Sequence, residues 1–145
     1  IKLLEKFLEL STKTNKPVII HNREATGDLI TTLKKYKTKG IIHCFNGSKE
    51  TANIFLKLGY KLGIGGVITF KNCKLKEEIK DLSPASFFLE TDAPYLTPEP
   101  YRGKPNEPKY MIYTLRALSE ALNINEEELS NILENNFHEL FDNNN

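Results

Sequence analysis

Leu3, Leu4, Phe7, Leu8 and Leu10 recur at helical spacing, so Lys2 to about Thr12 reads as an amphipathic helix. After the turn at Lys16-Pro17, the run Val18-Ile19-Ile20 is short and β-branched, which marks a buried strand. Ala25, Leu29, Leu33 and Tyr36 define a second helix, broken by Gly40 ahead of the run Ile41-Ile42. Ser48 is placed to cap a third helix, carrying Ala52, Ile54, Phe55 and Leu58, that stops at Gly59. Tyr60 to Thr69 reads as a glycine-punctuated strand region. Leu75, Ile79 and Leu82 mark a short helix, and Phe87-Phe88-Leu89 a further buried strand.

The strand regions begin near 17, 40, 61 and 87, at intervals of 23, 21 and 26 residues. Each interval holds a strand, a loop and a helix, the arithmetic of successive right-handed βαβ units in a parallel sheet. The expected class is therefore α/β, with residues 1–145 as a single domain. Pro94, Pro98, Pro100, Pro105 and Pro108 make 92–109 a loop, because proline fits neither a helix interior nor a central strand. Beyond it, Met111 to Ala121 is helical through Ile112, Leu115 and Leu118. Asn125 followed by Glu128 opens another helix through Leu129, Ile132 and Leu133. Asn136 to Phe141 continues helical, and Asn143 to Asn145 are expected to fray.

Charge adds a division that hydropathy hides. The formal net charge of the 145 residues is only +1, yet residues 1–80 hold 16 basic and 7 acidic side chains, and 81–145 hold 4 and 12. The lysines of the first half are scattered over helical positions, so most are expected to solvate outer faces, and charge alone does not establish a polyanion partner. Cys44 and Cys73 are too few for a disulfide scaffold and too far apart for a CxxC motif. No apolar run approaches the roughly 18 residues of a membrane span, and no signal peptide is evident. The expected location is the cytoplasm, with the nucleus as the alternative, and no membrane partner. Position 1 is Ile and the only Met is Met111, so the translational start is expected upstream.

His21 directly follows Val18 to Ile20, His43 directly follows Ile41-Ile42, and Asp92 stands just past Phe87 to Thr91. All are at C-terminal strand ends, where parallel α/β folds collect binding and catalysis. Two imidazoles and a carboxylate converging there form a metal-ligand set. A lone histidine at a strand end is more often structural, but the joint placement favours a site. Strand alternation predicts that Asn22 and Cys44 face away from it, with Cys44 an apolar filler. His138, in the final helical segment, reads as structural.

The segments Lys16 to Ala25, Ile42-His43-Cys44-Phe45-Asn46-Gly47-Ser48 and Leu89-Glu90-Thr91-Asp92-Ala93-Pro94-Tyr95-Leu96 resemble successive motifs of the TatD-related metal-dependent deoxyribonucleases. The loop Arg102-Gly103-Lys104-Pro105-Asn106-Glu107-Pro108 and the ending Asn136 to Phe141 are similar to that family too. The resemblance implies a TIM-like (β/α) barrel of the metallo-hydrolase type that uses divalent metal, Mg²⁺ or Mn²⁺ with Zn²⁺ as the alternative, to cleave DNA. It makes His21, His43 and Asp92 metal ligands. The family's opening His-x-His strand and a further Glu ligand have no counterpart here, so the chain corresponds to about the last four βα units. A whole barrel needs roughly 200 residues or more.

Asp92 is the candidate to ligate metal and orient the attacking water; its alternative is to cap the following segment. Glu90, two residues away, could serve as a carboxylate behind the ligands or as an ordinary interior hydrogen-bonding group. Arg23, Arg102 and Lys104 are candidate substrate contacts for phosphate oxygens, with a barrel salt bridge as the alternative for Arg23. Other readings are a metallo-hydrolase of another substrate class (amide, ester or small phosphate compound) and an inactive fragment or interaction domain. Half a barrel should expose apolar strand edges at Val18 to Ile20 and Phe87 to Leu89, which would pair with the missing N-terminal half or drive self-association.

Overall fold

The computed structural model describes residues 2–142, so Asn143 to Asn145 lie outside the described residues. In chain order the elements are α1 (Lys2–Thr14), β1 (Val18–His21), α2 (Thr26–Leu33), β2 (Gly40–His43), α3 (Lys49–Lys57), β3 (Tyr60–Ile64), α4 (Leu75–Ile79), β4 (Phe87–Leu89), α5 (Met111–Leu122) and α6 (Glu126–Phe141). Ser48 caps α3 by accepting from Thr51 N–H, and Asn125 caps α6 by accepting from Glu127 and Glu128 N–H, as the sequence predicts.

All strands are parallel and run in the spatial order β1-β2-β3-β4. Each new strand is added on the same side of the last, so right-handed crossovers lay the helices along one face, as in a segment of a (β/α) barrel. Register makes that face apolar. Ile20 pairs with Ile42, Ile42 with Leu62 and Leu62 with Phe87, and all these side chains join the core beneath the helices. Leu8 of α1, Leu29 and Leu33 of α2, Phe55 of α3, Leu118 of α5 and Leu129 of α6 complete it. Alternation sends Ile19, Ile41, Gly63 and Phe88 to the opposite face, where Leu140 of α6 packs with Ile41 and Phe88.

Several boundaries differ from expectation. The second helix ends at Leu33, and Tyr36 lies in the turn after it. The expected strand over Tyr60 to Thr69 stops at Ile64 and gives way to a 3₁₀ turn over Gly66–Thr69. The cause is a close approach: a Cβ on Gly66 would overlap the carbonyl oxygen of Leu96, so the backbone here packs against the long loop instead of extending the sheet. The exposure expected of the apolar side chains over Phe87 to Leu89 is also corrected, although β4 remains an edge strand with no strand beyond it among the described residues. Phe87 and Phe88 are buried, and Asn136 of α6 donates to the Phe87 carbonyl oxygen. At the other edge the expectation over Val18 to Ile20 is met only by Ile19, 63% exposed, since Val18 is half-buried and Ile20 lies in the core. Among the described residues, no helix is long and apolar enough to cross a membrane.

Candidate active site

Register brings the site together before any side-chain contact does. His21 of β1 pairs with His43 of β2, and their ring centroids are 5.7 Å apart. β4 lies two strands away, yet His43 Nε2 is 3.3 Å from Asp92 Oδ1, and His43 Nδ1 is 2.8 Å from Glu90 Oε2. Glu90 reaches across β3 because Gly63 has no side chain there; a Cβ on Gly63 would overlap Glu90 Oε2. The other carboxylate oxygen, Oε1, accepts from Cys44 N–H at 2.7 Å.

These bonds assign roles. With both oxygens of Glu90 accepting, His43 donates through Nδ1 and turns an Nε2 lone pair toward Asp92. Two acceptors facing each other at 3.3 Å call for a proton or a cation between or beside them. Donors at about 2.0–2.2 Å from one ion are themselves about 2.8–3.1 Å apart at octahedral angles and about 3.3–3.6 Å apart at tetrahedral ones. The His43–Asp92 pair therefore fits a metal ion as two of its ligands. Among the described residues, no group of three or more His, Cys, Asp or Glu side chains is placed to hold one unaided. His21 is exposed beside the pair.

Burial pushes the Glu90 carboxyl above the ordinary carboxylate range, and the His43 and Cys44 contacts pull against that shift. Cys44 is pushed up to about 11 by burial, with the charges of Glu90 and Asp92 adding to it, which makes it a poor nucleophile at neutral pH. Strand alternation does not apply to Cys44 as expected: β2 ends at His43, and Cys44 sits in a turn with φ of 51°, half-buried. Asp92 shares that left-handed conformation with φ of 54°. Such backbone in non-glycine residues collects at sites where the surroundings hold it, and here the Cys44 amide is held by Glu90. Asn22 donates to Thr26 Oγ1 at the start of α2.

The remaining candidates divide. Arg102 lies over Phe70, with Cζ 3.8 Å from the ring centroid, and Lys104 Nζ is 5.5 Å from the Tyr101 ring centroid. Arg23 is exposed, and among the described residues it makes no ion pair, so the salt-bridge alternative is not formed there. His138 is exposed on α6, where it is bonded to Asp142. Two contributors escaped the sequence reading. Gly63 makes the space for Glu90, and its one visible signal is a glycine inside a strand. Asn106 is buried, and its Nδ2 donates to the carbonyl oxygens of Thr91 and Tyr95, each at 2.7 Å, tying the long loop to the Asp92 segment.

Comparison with known proteins places this geometry among relatives. The family model described as TatD related DNase matches residues 1–142. An uncharacterized metal-dependent hydrolase of Bacillus subtilis, YabD, is 42% identical over 138 residues, covering 92% of this chain and 54% of that protein. The crystal structure of YjjV, a TatD homolog from Escherichia coli, superposes with a TM-score of 0.90 at 36% identity, covering 97% of this chain and 55% of that one. A TatD family hydrolase structure from Entamoeba histolytica, 24% identical, shares the fold with a TM-score of 0.79 over 94% of this chain and 54% of its own. The chain spans about half the length of the curated relatives it matches.

Proposed function

We propose that this chain, which belongs to the TatD-related DNase family, supplies one half of the active site of a divalent-metal-dependent deoxyribonuclease that hydrolyses phosphodiesters from DNA ends. The observation that carries the reading is the His43–Asp92 pair, 3.3 Å apart, with Glu90 fixing the imidazole from behind. His21, His43 and Asp92 hold the metal, and the remaining ligands come from the other half of the barrel. Mg²⁺ or Mn²⁺ suits the carboxylate, while the imidazoles also admit Zn²⁺. When bound, such an ion supplies Lewis acidity that makes water nucleophilic near neutral pH.

The chain's own residues do the rest. Asp92 orients the attacking water, Glu90 keeps the His43 lone pair directed at the site, and Arg102, Lys104 and Arg23 receive phosphate oxygens. Residues 1–145 act as one domain that pairs with the N-terminal half of the barrel along the outer edges of β1, where Ile19 is exposed, and β4, and the enzyme works in the cytoplasm.

The test is hydrolysis of end-labelled DNA by this chain together with its upstream half, with Mg²⁺ or Mn²⁺ and then with EDTA, beside an Asp92→Asn preparation purified identically. Metal-dependent shortening of the label that disappears with the substitution supports the reading. Metal-dependent cleavage of an amide or ester with no action on DNA transfers the protein to another substrate class. Failure to bind metal at all makes it an interaction domain.

A further inference from the structure

The turns that lead into β1, β2 and β3 lie at the opposite end of the sheet from His21 and His43, and they bound an open cleft of about 440 Å³. Lys16 precedes β1, Lys37 and Lys39 precede β2, and Lys57 ends α3 just ahead of β3; all of them line the cleft. None of these lysines pairs with a carboxylate among the described residues, whereas Lys35, Lys49, Lys76, Lys80 and Lys109 do. Part of the positive excess of residues 1–80 is thus gathered, unpaired, at one concave place.

Helix ends alone do not account for it. In right-handed βαβ units the helices run back against the strands, so the carbonyl ends of α1, α2 and α3 come to this face, and each favours a cation beside it. Each such end carries only about half a negative charge, so together they fall well short of balancing the ammonium groups. The α1 carboxylates Glu5 and Glu9 act on Tyr36 in the wall of the cleft, whose hydroxyl is raised first by burial and then by their charge. Glu5 is itself paired with Lys35 at 3.7 Å. A positive surplus remains.

The neutral groups of the wall narrow what could be held there. Ser11 donates its hydroxyl to the Lys16 carbonyl oxygen and Thr12 to that of Leu8, while the Thr38 hydroxyl is paired with Tyr60. With those donors spent, recognition falls to the ammonium groups, which are flexible point charges suited to phosphate oxygens. Four of them around one cleft fit several charges on one small molecule better than a single anion. We propose that this cleft is a binding site for a compact polyphosphate, recognised through its run of phosphates and separate from the candidate active site. The inference does not rest on the DNA-hydrolase reading, and it is tested without metal and without hydrolysis.

The experiment is isothermal titration of the full chain with sodium tripolyphosphate in EDTA, beside sodium sulfate at matched ionic strength. Tripolyphosphate should bind at least about tenfold more tightly than sulfate, because linked charges engage several ammonium groups at once. Lys37→Glu with Lys57→Glu, both exposed, should weaken it by at least about tenfold. Lys16→Glu, also exposed, is the second variant, and a folded far-UV spectrum verifies each. Arg102→Glu with Lys104→Glu should change the affinity by less than about twofold, since charges beyond a Debye length are screened. ATP binding as tightly as tripolyphosphate supports the cleft as a site for the phosphates of a nucleotide; tripolyphosphate binding without ATP supports it as a site for free polyphosphate. No binding of tripolyphosphate, affinity equal to that of sulfate, or a larger loss from the Arg102 and Lys104 substitutions than from those at Lys37 and Lys57 overturns the proposal.

Discussion

His43 Nδ1 stands 2.8 Å from Glu90 Oε2, and this bond decides what the other ring nitrogen can do. Because Glu90 also accepts from the Cys44 amide, its carboxylate is held at both oxygens and the imidazole cannot turn without breaking a bond. Glu90→Gln keeps the shape but presents an amide NH₂ to one of two donors. Metal affinity of the assembled barrel should fall about 10–100-fold, the usual cost of losing such a partner. Calorimetric titration with Mn²⁺ measures it, and unchanged affinity would assign Glu90 to the interior alone.

Asp92→Asn removes a charge from the pair with His43 while preserving its volume. Hydrolysis should slow by at least about a hundredfold, as expected when a group worth several kcal/mol at a metal site is lost. Steady-state rates, with the fold checked by circular dichroism, decide it.

Gly63→Ala places a methyl group where Glu90 Oε2 lies. The overlap should destabilise the chain by about 1–3 kcal/mol. Combining it with Glu90→Ala should recover much of that loss, since the clash disappears with the carboxylate. Denaturant melts of the single and double variants measure the coupling; additive losses would mean that the strand gives way elsewhere.

Asn106→Ala leaves the Thr91 and Tyr95 carbonyl oxygens without their donor. A stability loss of about 1–3 kcal/mol is expected, with faster hydrogen exchange concentrated in 92–106, because the amide is what fastens that loop to the end of β4.

His138 has its imidazole raised above the ordinary value, first by the hydrogen bond to Asp142 and then by nearby carboxylate charge. A raised imidazole stabilises the fold at pH below its unfolded value of about 6.5, and that contribution disappears as pH climbs through the folded value. NMR titration should find His138 above the ordinary value, and Asp142→Asn should return it.

Much of the fold was legible in the order of residues. The β-branched runs at 18–20 and 41–42, the caps at Ser48 and Asn125, and intervals of just over twenty residues dictate parallel βα units, since each is a local preference repeated along the chain. The same logic put His21, His43 and Asp92 at strand ends. What it could not supply was the path of the chain between distant strands. Where β3 stops, that Gly63 leaves room for Glu90 to cross to His43, that Asn106 pins the loop and that α6 covers Phe88 all depend on backbones brought together across many residues. Periodicity reports which face a residue prefers, whereas only packing decides which neighbour occupies the space. Cys44 shows the limit most clearly: alternation predicted its direction, but the strand had already ended and a left-handed turn, held by Glu90 from the far side of β3, set its place instead.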